Sequence, residues 1–335
     1  MQSRTVSPNE AGQRLDKLLS KILNLAPKSF IYKMLRKKNI TLNNKKADGS
    51  EKVAFGDEIR LWLSDETIEK FSDNPVTIVR DALDILYEDQ DILVINKKAG
   101  ALSQKASAKD VSVNEELISY MIHSDQASPE DFKTFRPSVC HRLDRNTSGV
   151  LIAGKTMTGL QDMATLIRER KVKKYYCCLV RGWVKEKAVI EGWLVKDKDS
   201  NQVTVTKRPG PGSDYIKTSY EPLATNGNHT LLWVQLFTGR SHQIRAHLAS
   251  IGHGIIGDPK YGDKDMNHYF YEKYHLKYQL LHSIQMTMPK DTLRLTAISG
   301  MVFRAPLPPL FTKILQEEKI TDRVDNYGNL EFKRS

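Results

Sequence analysis

A polar, acidic stretch over residues 64–80, with Pro75 near its middle, separates two segments of different composition. A stretch of this kind is typical of a linker between independently folded parts. The chain of 335 residues is long enough for one large and one small domain, each with an apolar core. We therefore expect a small domain with the start of the linker over residues 1–72, a large domain over residues 73–320, and a peripheral tail over residues 321–335.

The first segment is predicted to form a helix–helix–hairpin module. Apolar residues recur at helical spacing over residues 15–23, and a second helix, capped by Ser29, would turn the apolar residues of 30–35 inward. Residues 40–42 are predicted to form a strand that turns at residues 43–44. The alternation over residues 59–63 predicts a closing strand.

Positive charge is concentrated in this module. The formal net charge of the chain is +11, and residues 14–63 hold twelve basic residues against five acidic ones. Lys33, Arg36, Lys37 and Lys38 lie opposite the apolar face of the second helix or directly after it. Such a cluster is either an ordinary solvated face or a surface for a polyanion, because binding phosphates releases counterions. Its compactness and single sign favour RNA binding.

The second segment is predicted to be a mixed, mainly antiparallel α+β domain that runs to about Leu315. Alternating apolar patterns and turn signals predict strands and a hairpin. The expected strands are residues 85–87, 92–95, 174–180, 229–236 and 293–297, and the expected helices lie near residues 113–122 and 158–168. The chain from Glu317 onward is charged and is expected to be peripheral.

The segment with the clearest chemical signal is residues 141–151, with the sequence HRLDRNTSGVL. Its single carboxylate, Asp144, lies between Arg142 and Arg145, and nearby cations favour the ionised form of a carboxylate. The residues that follow suit a tight loop, where catalytic groups are often presented. The tripeptide Arg-Leu-Asp alone carries no information, because it also occurs at residues 14–16. An ordinary ion pair in a loop is the alternative for Asp144.

Two further motifs follow in order along the chain. Residues 174–176 read Lys-Tyr-Tyr, with Gly182 six residues after Tyr176. Residues 238–247 read TGRSHQIRAH and continue into Gly-His, Gly-Asp and Tyr-Gly pairs that end at Gly262. Together the three segments strongly resemble the motifs of the RluA-type family of RNA pseudouridine synthases. Residues 13–63 resemble the S4-type, or alpha-L, RNA-binding module.

This resemblance implies an enzyme that isomerises uridine to pseudouridine in RNA, a reaction that needs no cofactor, metal or energy source. It implies that Asp144 is the catalytic carboxylate, that Arg245 pairs with it, and that Tyr176 stacks on the uracil and helps to remove the C5 proton. Arg142 would support the RNA once the target base has flipped out. Leu281 would be the apolar contact of the last motif.

In the S4-type module the second helix and the following loop meet RNA, which assigns RNA binding to the four basic residues 33 and 36–38. Family members with this module most often modify large-subunit ribosomal RNA, so that RNA is the first expected substrate and transfer RNA the second. A non-catalytic ribosome-assembly factor and a hydrolase are the alternative functions. Whether the aspartate attacks C1′, attacks C6 or abstracts a sugar proton stays open.

The sequence disfavours several other classes of protein. Its three cysteines, Cys140, Cys177 and Cys178, form no disulfide framework, and no Cys or His spacing near His141, His242 or His247 completes a zinc set. We expect no signal peptide, no membrane span and no obligate protein partner. A reduced, cytoplasmic location fits these features.

One position departs from the family pattern. Residues 96–100 read Asn-Lys-Lys-Ala-Gly, so that Lys98 replaces the usual proline of a Lys-Pro-Ala-Gly motif. Because proline presets the backbone φ angle, we expect a looser turn here. No mapped catalytic position is affected.

Overall fold

The structure is a computed structural model that describes residues 1–73, 76–80, 83–107, 109–197 and 202–320. The tail expected over residues 321–335 lies outside these residues. The chain divides into two compact units. The first consists of Met1–Ala82, Asn114–Ser138 and Gly154–Gln161, and the second of Leu83–Val113, Val139–Ala153 and Asp162–Ser335. No helix in the described part of the chain has the length and apolar character needed to cross a membrane.

Residues 1–73 form a small α+β module around its own core. Its elements are β1 (Gln2–Thr5), α1 (Leu15–Ile22), α2 (Lys28–Arg36), β2 (Ile40–Leu42), β3 (Lys45–Lys46), β4 (Glu58–Leu61) and α3 (Asp65–Phe71). The strands pair antiparallel in the order β1-β4-β2-β3. Leu15, Leu18 and Leu19 of α1 are fully buried because helical spacing places them on one face.

The two predicted helices, the hairpin and the closing strand are confirmed. Asn43 and Asn44 both have positive φ angles, 50° and 60°, as a two-residue hairpin turn requires. Ser29 does not cap α2: Pro27 occupies that position, and Ser29 lies inside the first turn.

The predicted linker was wrong over residues 65–71, which form α3. Ser64 caps this helix by accepting a hydrogen bond from the Thr67 amide. Its Ile68 is buried in the core of the module, and the Phe71 ring lies 4.6 Å from that of Phe30. The burial of Ile68 outweighed the polar composition that suggested a linker. Strand β1 was not predicted.

The described part of the chain beyond residue 73 is a larger α+β region, most of which belongs to the second unit. Its strands are β5 (Ile85–Glu88), β6 (Ile92–Lys97), β7 (Ser138–Val139), β8 (Ser148–Gly154), β9 (Lys173–Arg181), β10 (Ala188–Lys196), β11 (Val203–Thr206), β12 (Asp214–Thr225), β13 (His229–Leu236), β14 (Leu281–Thr287) and β15 (Val302–Arg304). Its α-helices are α4 (Val113–His123), α5 (Met157–Arg168), α6 (Gln243–Ser250), α7 (Lys264–Tyr274) and α8 (Pro309–Glu317), with 3-10 turns at Pro129–Lys133 and Thr296–Ile298.

One mixed sheet organises this region, with strand order β11-β10-β12-β13-β9-β14-β8-β6-β5 and β15 paired to β14. The pair β14–β8 is parallel, whereas β9 pairs antiparallel with both β13 and β14. The predicted mixed, mainly antiparallel sheet is therefore confirmed. In β9, Tyr175, Cys177 and Leu179 face an apolar cluster that includes α7 and α8. The alternate residues Lys174 and Tyr176 face the other way, because strand side chains alternate.

Two predictions for the second segment were wrong. Residues 293–297 form a turn and the start of the 3-10 helix, not a strand, and Leu293 has a φ angle of 58° that no regular strand adopts. The chain from Glu317 is not peripheral as far as residue 320. Glu318 accepts a 2.7 Å hydrogen bond from Tyr274, and Ile320 is 1% exposed.

Candidate active site

The loop that carries Asp144 lies between β7 and β8 and is fixed on both sides of the aspartate. Ser103 Oγ donates a hydrogen bond to the Leu143 carbonyl at 2.9 Å and accepts one from the Leu143 amide at 3.1 Å. On the other side, the buried ammonium of Lys97 donates to the Arg145 carbonyl at 2.9 Å. The Thr147 amide closes the turn onto the Asp144 carbonyl. These bonds fix the backbone of the loop on both sides of Asp144.

Asp144 shares the guanidinium of Arg245 with a second carboxylate. Arg245 Nη1 donates to Asp144 Oδ2 at 3.1 Å, while Nε and Nη2 bind the two oxygens of Asp258 at 2.7 and 2.8 Å. The Asp258 side chain is 0% exposed and that of Arg245 is 6% exposed. Burial alone would lower the pKa of Arg245. The hydrogen bonds and charge of Asp258, and to a lesser extent those of Asp144, raise it. The arginine is therefore a fixed cation beside Asp144.

Tyr261 and His242 complete the surroundings of this arginine. The Arg245 guanidinium lies 5.2 Å from the centre of the Tyr261 ring. Tyr261 Oη accepts from the Val203 amide at 2.9 Å and lies 3.0 Å from His242 Nδ1. Burial lowers the pKa of His242, although the charge of Asp144 opposes that shift. If Tyr261 uses its own proton on Nδ1, the neutral His242 ring carries its proton on Nε2.

Tyr176 lies on β9 and is 6% exposed. Burial, and then the negative charge of Asp144, raise the pKa of its phenol, so that the ring stays neutral. Tyr176, Asp144, Arg245 and Leu281 line one open cleft of about 270 Å³, near the lower end of typical small-molecule sites. The basic and imidazole side chains that also line it are His141, Arg142, Lys174, Arg240 and His242.

The structure thus brings together the three predicted catalytic residues, with Arg142 and Leu281 in the same cleft. Arg142 is exposed at its rim. Lys98, which stands at the usual proline position, is exposed, and its carbonyl accepts a 3.0 Å hydrogen bond from Lys97.

The four predicted RNA-binding residues belong to the first unit. Lys33 and Arg36 lie on α2, and Lys37 and Lys38 follow it directly. All four are exposed, and Lys38 has a φ angle of 60° that ends the helix.

The Nε2 atom of His141 is already engaged in a hydrogen bond with the backbone. The Ile152 amide donates a 3.1 Å hydrogen bond to this atom, so that Nε2 carries the lone pair. Burial, and then the charge of Lys174, lower the pKa of His141 to about 3. A neutral imidazole with an occupied acceptor is a structural side chain and a poor general base near pH 7.

Asp258 was not predicted to be a site residue, although it belongs to the Gly-Asp pair at residues 257–258 of the third motif. Nothing in the local pattern marks this carboxylate as the partner of an arginine thirteen residues earlier. The one available signal was its place directly after a glycine in the third motif: Gly257 has a φ angle of 77°, and a Cβ there would lie 2.4 Å from the Tyr278 carbonyl.

Known proteins with this sequence pattern were identified by comparison. A family model described as RNA pseudouridylate synthase matches residues 91–250, and an S4 domain model matches residues 13–59. "Ribosomal large subunit pseudouridine synthase C" of Vibrio vulnificus (strain CMCP6) is 30% identical over 325 residues, 93% of this chain and 94% of that protein. The protein of the same name from Pasteurella multocida (strain Pm70) is 32% identical over 329 residues, 93% and 92% of the two chains.

A solved structure shares the fold. "Human RNA Pseudouridylate Synthase Domain Containing 4" aligns with a TM-score of 0.56 at 22% identity, covering 71% of this chain and 93% of that one. The predicted α+β class and the predicted N-terminal S4 domain are confirmed. With relatives of at least 30% identity that match over nearly their whole length, the chain belongs to the RNA pseudouridylate synthase family and is a pseudouridine synthase, an isomerase.

Proposed function

We propose that this enzyme isomerises specific uridines in large-subunit ribosomal RNA and that Asp144 is its catalytic carboxylate. The observation that carries the proposal is the ion pair between Asp144 and a buried Arg245 inside a cleft that Tyr176 also lines. A carboxylate paired with an arginine next to an aromatic ring suits a reaction that develops positive charge at the sugar or needs a nucleophile.

The reaction conserves atoms. The C1′–N1 bond breaks, the uracil turns, the C1′–C5 bond forms, and C5 loses a proton while N1 gains one. Asp144 acts as a nucleophile at C1′ or C6, or takes a sugar proton on the way to a glycal; each path uses an ionised carboxylate. Arg245 pairs with this carboxylate and orients it. Because the pKa of Tyr176 is raised, any help with the C5 proton passes through a neutral hydroxyl.

The target uridine has to leave the RNA stack before it can enter the cleft. Flipping a base costs a few kcal/mol and exposes its face to aromatic side chains. Tyr176 provides a ring for the uracil to stack on. Arg142, exposed at the rim, is positioned to support the rearranged strand.

We assign RNA binding to an S4-type domain over residues 1–72 and catalysis to residues 73–320, with residues 321–335 as a peripheral tail. In the first domain Lys33, Arg36, Lys37 and Lys38 would contact phosphates. Relatives named for the ribosomal large subunit make ribosomal RNA the first candidate substrate, and they favour a cytoplasmic enzyme. Transfer RNA is the second candidate substrate.

The experiment that tests this function measures tritium release from C5-tritiated uridine in large-subunit RNA transcripts. We expect release by the wild-type enzyme and none by Asp144→Asn. The matched control is Asp16→Asn, which alters the other Arg-Leu-Asp tripeptide of the chain, on α1, and should keep releasing tritium at saturating RNA. Undiminished release by Asp144→Asn would overturn the assignment of the carboxylate.

Two other outcomes would point to different functions. Tight binding to ribosomal RNA with no tritium release from ribosomal or transfer RNA would favour the non-catalytic assembly factor. Free uracil or cleaved product would indicate a hydrolase, since an isomerase leaves the mass of the RNA unchanged.

A further inference from the structure

Lys174 is a partly buried cation of the cleft for which the described residues supply no ion-pair partner. It lies at the start of β9, is partly buried, and lines the same cleft as Asp144. Within the described residues its ammonium has no hydrogen bond or ion pair. Two other cleft cations have carboxylate partners: Arg245 binds Asp144 and Asp258, and Arg240 pairs with Asp214 at 2.9 Å. Arg142 is exposed to solvent, whereas Lys174 is partly buried.

Gly239 and His141 line the cleft together with Lys174. A Cβ at residue 239 would lie 3.3 Å from Lys174 Nζ, so that Gly239 leaves the space beside the ammonium open. His141 lines the same cleft, and its pKa is lowered by burial and by the charge of Lys174. Burial in turn lowers the pKa of Lys174. A desolvated ammonium without a partner is unfavourable unless a ligand brings an anion.

The position of Lys174 along β9 indicates which anion. Tyr176 lies two residues further on the same face of the strand, and two residues of strand span roughly 6.5 Å. If a uracil stacks on Tyr176, its neutral carbonyl groups lie near the tyrosine ring. The phosphates of the same nucleotide lie further from the ring, at a distance comparable to the spacing between Tyr176 and Lys174.

We propose that Lys174 is the binding residue for a phosphodiester next to the uridine that is isomerised. This inference rests on the proposed function, since it uses the same cleft and the same flipped nucleotide. It gives the enzyme a contact with the RNA backbone inside the cleft, in addition to those of the S4 domain. The contact would hold the nucleotide while its base leaves and returns.

The test compares Lys174→Met with Lys173→Met in the full-length enzyme. The two lysines are neighbours on β9, but Lys173 is exposed and lies outside the cleft. Single-turnover tritium release is measured with RNA that carries a neutral methylphosphonate on the 5′ or the 3′ side of the target uridine. We expect Lys174→Met to lower kcat/KM by about 10- to 100-fold, the value of a charge-assisted hydrogen bond, and Lys173→Met to have little effect.

The decisive result is the coupling between protein and RNA changes. One of the two methylphosphonates should slow the wild type and Lys173→Met, and should have no further effect on Lys174→Met. Lys174→Met should also lower the salt slope of binding by about one phosphate contact. Equal sensitivity of wild type and Lys174→Met to both methylphosphonates would overturn the inference.

Stability provides a second readout. Removing a desolvated, unpaired ammonium should leave the melting temperature of Lys174→Met equal to or above that of the wild type, and Lys174→Gln repeats the test with a polar side chain. A clear fall in melting temperature in both variants would show that the protein itself uses the charge, and would overturn the inference. If the wild type releases no tritium from any RNA, the proposed function fails instead.

Discussion

At the scale of single residues, Arg245 is the centre of the candidate site because it joins two carboxylates of different character. Asp258 is fully buried and also accepts hydrogen bonds from the amides of Lys260 and Tyr261, at 2.9 and 3.1 Å. Asp144 is partly exposed to the cleft and has one bond to the arginine. Asp258 thus fixes the orientation of Arg245, and Arg245 in turn fixes Asp144.

We predict that Asp258→Asn lowers single-turnover activity on the order of 100-fold, because a displacement of about 1 Å at a reacting group has that effect. It should also destabilise the protein by about 3 kcal/mol, since it leaves a buried arginine with less compensation. The measurements are tritium release and urea unfolding of the same preparation.

The control is Asp162→Asn. Asp162 binds Arg294 through both carboxylate oxygens, at 2.6 and 3.0 Å, and neither residue lines the cleft. The Asp162→Asn variant should be less stable than the wild type but should release tritium at the wild-type rate. A folded Asp258→Asn enzyme with the wild-type rate at saturating RNA would contradict the positioning role of Asp258.

At the scale of elements, the parallel pairing of β8 with β14 fixes the start of β8, which follows the loop that carries Asp144. Gly149 pairs with Ser283 across this ladder and has a φ angle of 106°. A Cβ at residue 149 would lie 2.2 Å from the Ser283 carbonyl oxygen, a contact with backbone that cannot move aside. The glycine is therefore required both by conformation and by the close approach of the two strands.

We predict that Gly149→Ala destabilises the protein by more than about 3 kcal/mol, because a steric clash adds to about 1–2 kcal/mol of backbone strain. Gly252→Ala is the matched control: its φ angle is 84°, but a Cβ there meets nothing within 4 Å, so that only the strain remains. Chemical unfolding of both variants measures the difference. Equal losses would show that the strands can separate to accept the methyl group.

The basic residues at the end of α2 lead to a second prediction at this scale. Replacing Arg36, Lys37 and Lys38 together by Gln should lower the salt slope of RNA binding by up to about 2–3, at somewhat under one for each phosphate that the protein no longer neutralises. Tritium release at saturating RNA should stay near the wild-type level, since no residue of the cleft changes. Exposed Lys70→Gln is the single-charge control. An unchanged salt slope would remove α2 from the RNA interface.

Substitution is a better test of the S4 domain than truncation. Glu10 is 1% exposed, and its carboxylate accepts a 2.5 Å hydrogen bond from Thr134 within the same compact unit. Deleting residues 1–72 would remove the partner of Thr134 and disturb residues beyond the deletion.

At the scale of the whole molecule, three neutral histidines with lowered pKa values link stability to pH. Burial lowers the pKa of His282 and of His247 to about 4, and that of His141 to about 3. His282 is 0% exposed, with Nδ1 2.8 Å from Ser148 Oγ and Nε2 3.2 Å from the Ala305 carbonyl. In the unfolded chain each ring would titrate near pH 6.5.

The unfolded state therefore binds more protons than the folded state between about pH 4 and pH 6.5, so that stability falls as pH falls through this window. Each histidine should contribute on the order of 1–2 kcal/mol to the loss between pH 6.5 and pH 5. We predict that His282→Gln reduces this loss by about that amount, measured by urea unfolding at both pH values. The control is His268→Gln, which replaces an exposed histidine and so measures the effect of the substitution itself. An identical pH dependence in His282→Gln would contradict the prediction.

The sequence by itself determined the local features of this protein. Helical and alternating apolar spacing predicted α1, α2, β9 and β13, because the period of burial follows directly from backbone geometry. Ordered motifs identified the family, and from it Asp144, Tyr176 and Arg245 as site candidates. The same local reasoning failed for α3 and for residues 293–297, where composition and pattern did not report which side chains would be covered.

Only the tertiary structure decided how distant groups meet. The partnership of Arg245 with Asp258, the open space that Gly239 leaves beside Lys174, and the contact of Gly149 with Ser283 all join residues from different elements. None of these contacts produces a periodic pattern in the sequence, because each depends on strand order and register. The charged residues show this difference between sequence and tertiary structure most clearly. The sequence gives the number of cations, but only the tertiary structure determines which of them are buried and which of them lie beside a carboxylate.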